Sequence, residues 1–169
     1  SFLDSAVELD VDALADGEQC YVGSVLEHIE ECGIHSGDSA CCFPPFSLSD
    51  KIVAKIRETT RRLALSCHIQ GLLNVQYAVR DEQVFVIELN PRASRTVPFI
   101  SKATGVPLAK YAARIMSGEK ICNLGLPAED AERGYYAVKE AVMPWSRFPG
   151  ADVTLGPEMK STGEVMGLD

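Results

Sequence analysis

Along Ala6 to Ala15, apolar Val7, Leu9, Val11 and Ala13 alternate with Glu8, Asp10 and Asp12. Period-two alternation predicts a strand, here with one acidic face. Asp16-Gly17 is a turn signal, so Gln19 to Leu26 is predicted to return as the second strand of a hairpin. Glu27 to Glu31 predicts a short helix or turn ending at Gly33. Pro44-Pro45 interrupts regular structure, and Ser47 and Ser49 offer helix caps. From Asp50 to about Ile69, Ile52, Ile56, Leu63 and Cys67 recur near helical spacing, with Lys51, Lys55, Arg57, Arg61 and Arg62 on other faces. That pattern predicts a long amphipathic helix lying on a sheet with a solvated basic face.

A second hairpin follows. Leu73, Val75, Tyr77 and Val79 alternate with Asn74, Gln76 and Ala78; after Asp81-Glu82-Gln83, Phe85, Ile87 and Leu89 alternate with Val84, Val86, Glu88 and Asn90. A three-residue loop over 81–83 sets Gln76 opposite Glu88 and Asn74 opposite Asn90, leaving Val75, Tyr77, Ile87 and Leu89 for the core. Pro91 ends the ladder because it lacks an N–H. Beyond it, 96–105 predicts a short segment, and Pro107 opens a helix through Met116 that closes near Gly118. Residues 122–131 predict a loop, Tyr135 to Val142 a strand, 143–153 a loop, and Pro157 to Asp169 a turn or short helix.

The second hairpin carries the candidate chemistry. One carboxylate, Glu88, and two carboxamides, Gln76 and Asn90, are hard oxygen donors that suit Mg²⁺. Arg92 and Arg95 follow at once, as two guanidinium forks suited to phosphate or carboxylate. An ordinary antiparallel hairpin with one wet face accounts for the same residues.

A family resemblance separates these readings. The run ELNPRASRTVPFISKATGVPLAK resembles the nucleotide-site signature of the ATP-grasp fold, and more narrowly that of carbamoyl-phosphate synthetase large subunits. GIHSGDS at Gly33 to Ser39, NVQYAV at Asn74 to Val79 and GPEMKSTGEVMG at Gly156 to Gly167 agree, in order and at family-like spacing. Asn90-Pro91 resembles the bacterial type. Those large subunits hold two homologous ATP-grasp halves. His35-Ser36-Gly37, Ala93 to Pro98 and Leu155-Gly156-Pro157 resemble the second, which phosphorylates carbamate. The resemblance implies an α+β fold: the C-terminal lobe of an ATP-grasp unit, a mainly antiparallel sheet with packed helices. Residues 1–169 would be a partial domain whose N-terminal part, with its glycine-rich lid, lies elsewhere in a longer protein, so the lobe alone is expected to be inactive.

It further implies an ATP-dependent ligase that makes carbamoyl phosphate for pyrimidine or arginine biosynthesis. Leu3 and Glu8 would contact the purine or ribose, and Gly33, Ile34, His35 and Ser36 would line the nucleotide pocket. Gln76 and Glu88 would face both ATP and metal, Asn90 would complete the metal shell, and Arg92 and Arg95 would act on the transferred phosphoryl group or carbamate. Implied partners are ATP, carbamate, the rest of the large subunit and a glutamine amidotransferase small subunit. Rival readings are a biotin-carboxylase-like or peptide-ligase-like ATP-grasp unit, and a non-catalytic interaction fragment.

Composition narrows the field. The 169 residues are 46% hydrophobic and 24% charged, as in a globular domain with a real core. A net charge of −8 argues against a general nucleic-acid binder. No apolar run approaches the ~20 residues that cross a bilayer, so no membrane partner is expected. The six cysteines form no C-x-x-C pair, which favours free thiols in a reducing cytoplasm over zinc or disulfides. His28 and His68 are read as structural.

Overall fold

The computed structural model describes residues 5–129 and 134–169; Leu3 lies outside them. In chain order the elements are β1 (Val7–Asp16), β2 (Cys20–His28), β3 (Cys41–Phe43), α1 (Asp50–Ser66), β4 (Gln70–Arg80), β5 (Gln83–Asn90), α2 (Val97–Thr104), α3 (Leu108–Met116), β6 (Ala137–Val142) and β7 (Gly163–Leu168). The strands make one antiparallel sheet in the order β5-β4-β1-β2-β3-β6-β7.

The first hairpin forms because Asp16 organises its own turn. Its Oδ1 accepts from Glu18 N at 2.9 Å and Gln19 N at 2.7 Å, while Gly17 supplies a φ of +84°. β2 then runs two residues beyond the predicted Leu26. Glu27 and His28 pair with Cys42 and Cys41 rather than forming a helix. Tertiary pairing overrides the helical preference of this segment. Glu27 is buried, and its carboxylate accepts from Phe46 N and Ser47 N, both at 2.9 Å, and from the Ser47 hydroxyl.

The two sheet faces are covered differently. On one, Leu9, Val11, Ala13 and Ala15 of β1 and Leu73, Val75, Tyr77 and Val79 of β4 pack with Ile52, Ile56 and Ala64 of α1. Burying each large aliphatic side chain contributes roughly 1.5–3 kcal/mol. The predicted helix ends three residues early, at Ser66, and Cys67 is exposed. On the other face, Leu14, Leu26 and Leu72 pack under α2 and α3 through Phe99, Ile100, Leu108 and Ile115. These helices cover only one end of that face. The remainder carries Glu8, Asp10, Asp12, Asn74 and Gln76. The acidic face of β1 is therefore not solvated: Asp10 and Asp12 are buried. β1 is central, flanked by β2 and β4.

The β4–β5 hairpin departs from its predicted turn in an instructive way. The turn has two central residues, Asp81 and Glu82, with φ of 50° and 59°, and Arg80 pairs with Gln83. Two positive φ values match the primed turns that suit a hairpin's twist. The spare residue is taken up at a bulge: Tyr77 pairs with Val86, yet Gln76 pairs with Glu88 and Asn74 with Asn90. Ile87 occupies the bulge and is exposed, not in the core. At the C-terminus the predicted turn or helix is instead β7, paired with β6 from Gly163–Val142 to Leu168–Ala137.

Candidate functional site

The uncovered part of the second face floors a cleft of about 340 Å³, within the range of small-molecule sites. Glu8, Gly33, Ile34, His35, Ser36, Gln76 and Glu88 line it, with His28, Ile87 and Pro157. Sheet register brings these together. Gln76 and Glu88 are directly opposed on β4 and β5, and Gln76 faces Asp10 on its other side. The 33–39 loop arches over from the end of β2. Gln76 Nε2 donates to Ser36 Oγ at 3.3 Å, which leaves the Gln76 carbonyl oxygen available. His35 Nδ1 accepts from Gly37 N at 3.0 Å, so a neutral His35 carries its proton on Nε2.

The 33–39 loop is held from two directions. The buried Lys139 of β6 donates to Ser36 O at 3.0 Å. Asp38 accepts from Lys160 N at 2.7 Å and Ser161 N at 2.8 Å, His35 N donates to Gly156 O at 2.8 Å, and Ser161 Oγ donates to Gly37 O at 3.0 Å.

Beneath the cleft lies a charged network. His28 Nε2 sits 2.8 Å from Asp10 Oδ2, and Nδ1 sits 3.7 Å from Glu8 Oε2. Burial alone would lower the His28 pKa, but Asp10, Cys41 and Glu8 outweigh it and push it up to about 12. Burial would likewise raise Asp10; the His28 hydrogen bond and charge, Asn74 and Lys139 hold it below the ordinary carboxylate range. Glu8 is lowered too: burial is outweighed by His28, by the Cys32 thiol and by the Gly33 N–H. The last two donate to Glu8 Oε1 at 3.0 and 3.2 Å. Asp12 goes the other way, and burial pushes it up to about 6 despite donors from Thr96, Ser94 and Asn74.

Asn90, Arg92 and Arg95 lie beside the cleft, not in its walls. Asn90 is one cross-strand row away and donates from Nδ2 to Glu88 Oε1 at 2.7 Å. Arg92 and Arg95 are exposed in the loop after β5. Arg92 Nη1 donates to Ala93 O at 3.0 Å, and Arg95 Nη1 lies 2.6 Å from Met159 Sδ. His28, read from sequence as structural, lines the cleft. The signal lay in strand length, since β2 extended past Leu26 brings His28 within reach of Glu8 and Asp10. Nothing local in the sequence distinguished Lys139.

The donor set fits a hard divalent cation. Glu88 is exposed, and the hydrogen bonds of Gln76 and Asn90 employ their NH₂ groups, leaving both carbonyl oxygens as acceptors. Among the described residues no group of three or more His, Cys, Asp or Glu is placed to hold a metal ion.

Comparison with known proteins decides the family. The family sequence model for "Carbamoyl-phosphate synthase L chain, ATP binding domain" matches residues 1–124. The chain belongs to that family. It is 58% identical over 171 residues to the carbamoyl phosphate synthase large chain of Methanothermobacter thermautotrophicus, covering 99% of this chain and 16% of that protein. The large chains of Archaeoglobus fulgidus and Vibrio vulnificus are 58% and 54% identical, each over 99% of this chain. The chain thus spans about 16% of the length of the curated relatives it matches. Among solved structures, a "Biotin Carboxylase domain of single-chain bacterial carboxylase" superposes with a TM-score of 0.72 at 20% identity, over 85% of this chain and 34% of that one. A single-chain, multi-domain long-chain acyl-CoA carboxylase gives 0.70 at 22%, over 84% and 16%. These two likenesses establish the fold, a lobe of the ATP-grasp type.

Within this ATP-binding domain of the carbamoyl-phosphate synthase family, no helix of the described residues is long and apolar enough to cross a membrane. None of the six cysteines is in a disulfide.

Proposed function

We propose that this chain forms the ATP- and metal-holding lobe of the half of a carbamoyl-phosphate synthase large chain that phosphorylates carbamate. The observation that carries this is the opposed Gln76–Glu88 pair facing the 33–36 loop across one cleft. HSG at 35–37, ASRTVP at 93–98 and LGP at 155–157 favour the carbamate half over the bicarbonate half.

Glu8 accepts from ribose hydroxyls or the purine, and the backbone of Gly33 to Ser36 lines the nucleotide. Gln76, Glu88 and Asn90 would hold Mg²⁺ or Mn²⁺, which would supply positive charge to offset that of the ATP phosphates. A carbamate oxygen attacks the γ-phosphorus as the bond to the β,γ-bridging oxygen breaks, giving carbamoyl phosphate and ADP. Arg92 and Arg95 stabilise the transferring group and orient the carbamate anion. The full enzyme is an ATP-dependent ligase of the cytoplasm, with ammonia supplied by a glutamine amidotransferase small subunit and the product consumed in pyrimidine or arginine synthesis.

The test is Glu88→Gln in the full-length protein. Formation of ATP from carbamoyl phosphate and ADP should fall about 10²–10³-fold, with bicarbonate-dependent ATP cleavage retained. Loss of the bicarbonate reaction instead would assign this lobe to the other half. Near-normal rates of both would sink the metal assignment.

A further inference from the structure

The loop that carries Arg95 is tied to the floor of the sheet by one buried carboxylate. Asp12 sits on the central strand β1 and is 0% exposed. Its Oδ1 accepts from Ser94 Oγ at 2.7 Å, and its Oδ2 accepts from the Thr96 hydroxyl. The two hydroxyls are also 2.6 Å apart, and Thr96 N donates to Ser94 Oγ at 3.1 Å. Arg95 is the residue between them; it is exposed, whereas Thr96 is buried. The other side-chain contacts of this loop are short-range or peripheral: Arg92 to Ala93, and Arg95 to Met159.

Among the described residues no Lys, Arg or His forms an ion pair with Asp12. Its carboxylate is sustained by hydroxyl donors and by Asn74 Nδ2 at 3.1 Å. A buried carboxylate is an expensive way to fasten a loop. What it offers is two acceptor oxygens in one plane, one for each residue flanking the arginine.

We propose that Asp12 is a positioning residue: by holding Ser94 and Thr96 together it fixes the backbone on both sides of Arg95 and sets the direction from which that guanidinium reaches the phosphoryl group. This rests on the carbamate-phosphorylating reading above. It adds that the geometry of Arg95 is set from β1, on the far side of β4, and not by the loop itself.

The experiment uses the full-length large chain and the formation of ATP from carbamoyl phosphate and ADP, with kcat and the KM for ADP measured separately. Thr96→Val keeps the shape and removes the donor, and Thr96→Ser keeps the donor. Thr96→Val and Ser94→Ala should each lower kcat about 10–100-fold, as small misplacements of a reacting group do. The KM for ADP should stay within about twofold, because the 33–36 loop and Gln76 do not touch this triad. Thr96→Ser should restore kcat, and Asp12→Asn, with one acceptor lost, should behave like Thr96→Val. Arg95→Ala run alongside keeps the two ideas apart. If Arg95→Ala destroys kcat while Thr96→Val leaves it intact, the positioning role is wrong. It is also wrong if kcat and ADP affinity fall together and Thr96→Ser rescues neither. If Arg95→Ala itself turns over normally, the functional reading falls and takes this role with it.

Discussion

Replacing His28 by Gln is the sharpest test of the charged floor under the cleft. His28 is 7% exposed and is the cation that both Asp10 and Glu8 face. Glutamine keeps one donor for Asp10 but removes the charge. Lys139 and Asn74 remain near Asp10, yet its carboxylate, 1% exposed, loses its closest counter-ion. Removing one partner of a buried ion pair costs about 3–5 kcal/mol. For a chain of 169 residues, each kcal/mol shifts Tm by about 2–4 °C, so a fall of roughly 10 °C is expected at pH 7. The double variant His28→Gln/Asp10→Asn should regain much of that loss, because no uncompensated charge remains. The pH dependence supplies a second reading. A histidine raised from 6.5 to about 12 contributes stability that is fully present below about pH 6.5 and is lost as pH rises through about 12. The gap between wild type and His28→Gln should therefore narrow by up to about 1.4 kcal/mol per pH unit above neutrality. Thermal denaturation followed by circular dichroism gives the first quantity, and imidazole NMR shifts report protonation directly. A His28 ring that titrates near 6.5, or a single variant within 2 °C of wild type, would refute the network.

Two further outcomes follow from the packing. Tyr77→Phe removes a buried hydroxyl lying 2.7 Å from Thr60 Oγ1, which still bonds Ile56 O at 2.9 Å; denaturant unfolding should show a loss of only about 1 kcal/mol. Asp12, raised by burial to about 6, favours the folded state most below the ordinary value of 3.8 and loses that contribution as pH rises through about 6. Its carboxyl ¹³C shift should titrate near 6, and an ordinary midpoint near 4 would show that the carboxylate is solvated.

Most strands are legible because their apolar positions alternate, α1 because its apolar positions recur at helical spacing, and α3 because Pro107 and Gly118 bracket it. What was not legible depended on partners distant in sequence. Glu8, Asp10 and Asp12 read as one polar face, but alternation cannot say whether that face meets water or Asn74, His28 and Thr96. Glu27 and His28 read as helical until Cys41 and Cys42 arrive to pair with them. β7 has two glycines, and its apolar Val165, Met166 and Leu168 do not alternate strictly; it is a strand because β6 offers an edge. The β4–β5 hairpin is the subtlest case. A three-residue turn without a bulge and a two-residue turn with Ile87 bulged give the same Gln76–Glu88 pairing, so the pair is legible whichever turn forms. Asp81-Glu82 lacks the Asn-Gly or Asp-Gly pattern that announces a primed turn. Plain alternation places Ile87 in the core, and the bulge turns it out to solvent. Leu3 lies outside the described residues.

The way the 33–39 loop is fastened has a practical side. Glu8 and Gln76 hold Gly33 and Ser36 from the sheet, but its other anchors, Lys139, Gly156, Lys160 and Ser161, come after residue 124, where the match to the family sequence model stops. A domain trimmed at that limit would keep Gln76 and Glu88 but would cut away the Lys139 contact to the Ser36 carbonyl and the donors to Asp38. For expression, domain exchange or fusion, the segment through Ser161 must therefore be kept: although it contributes little wall to the cleft, it keeps the roof in place.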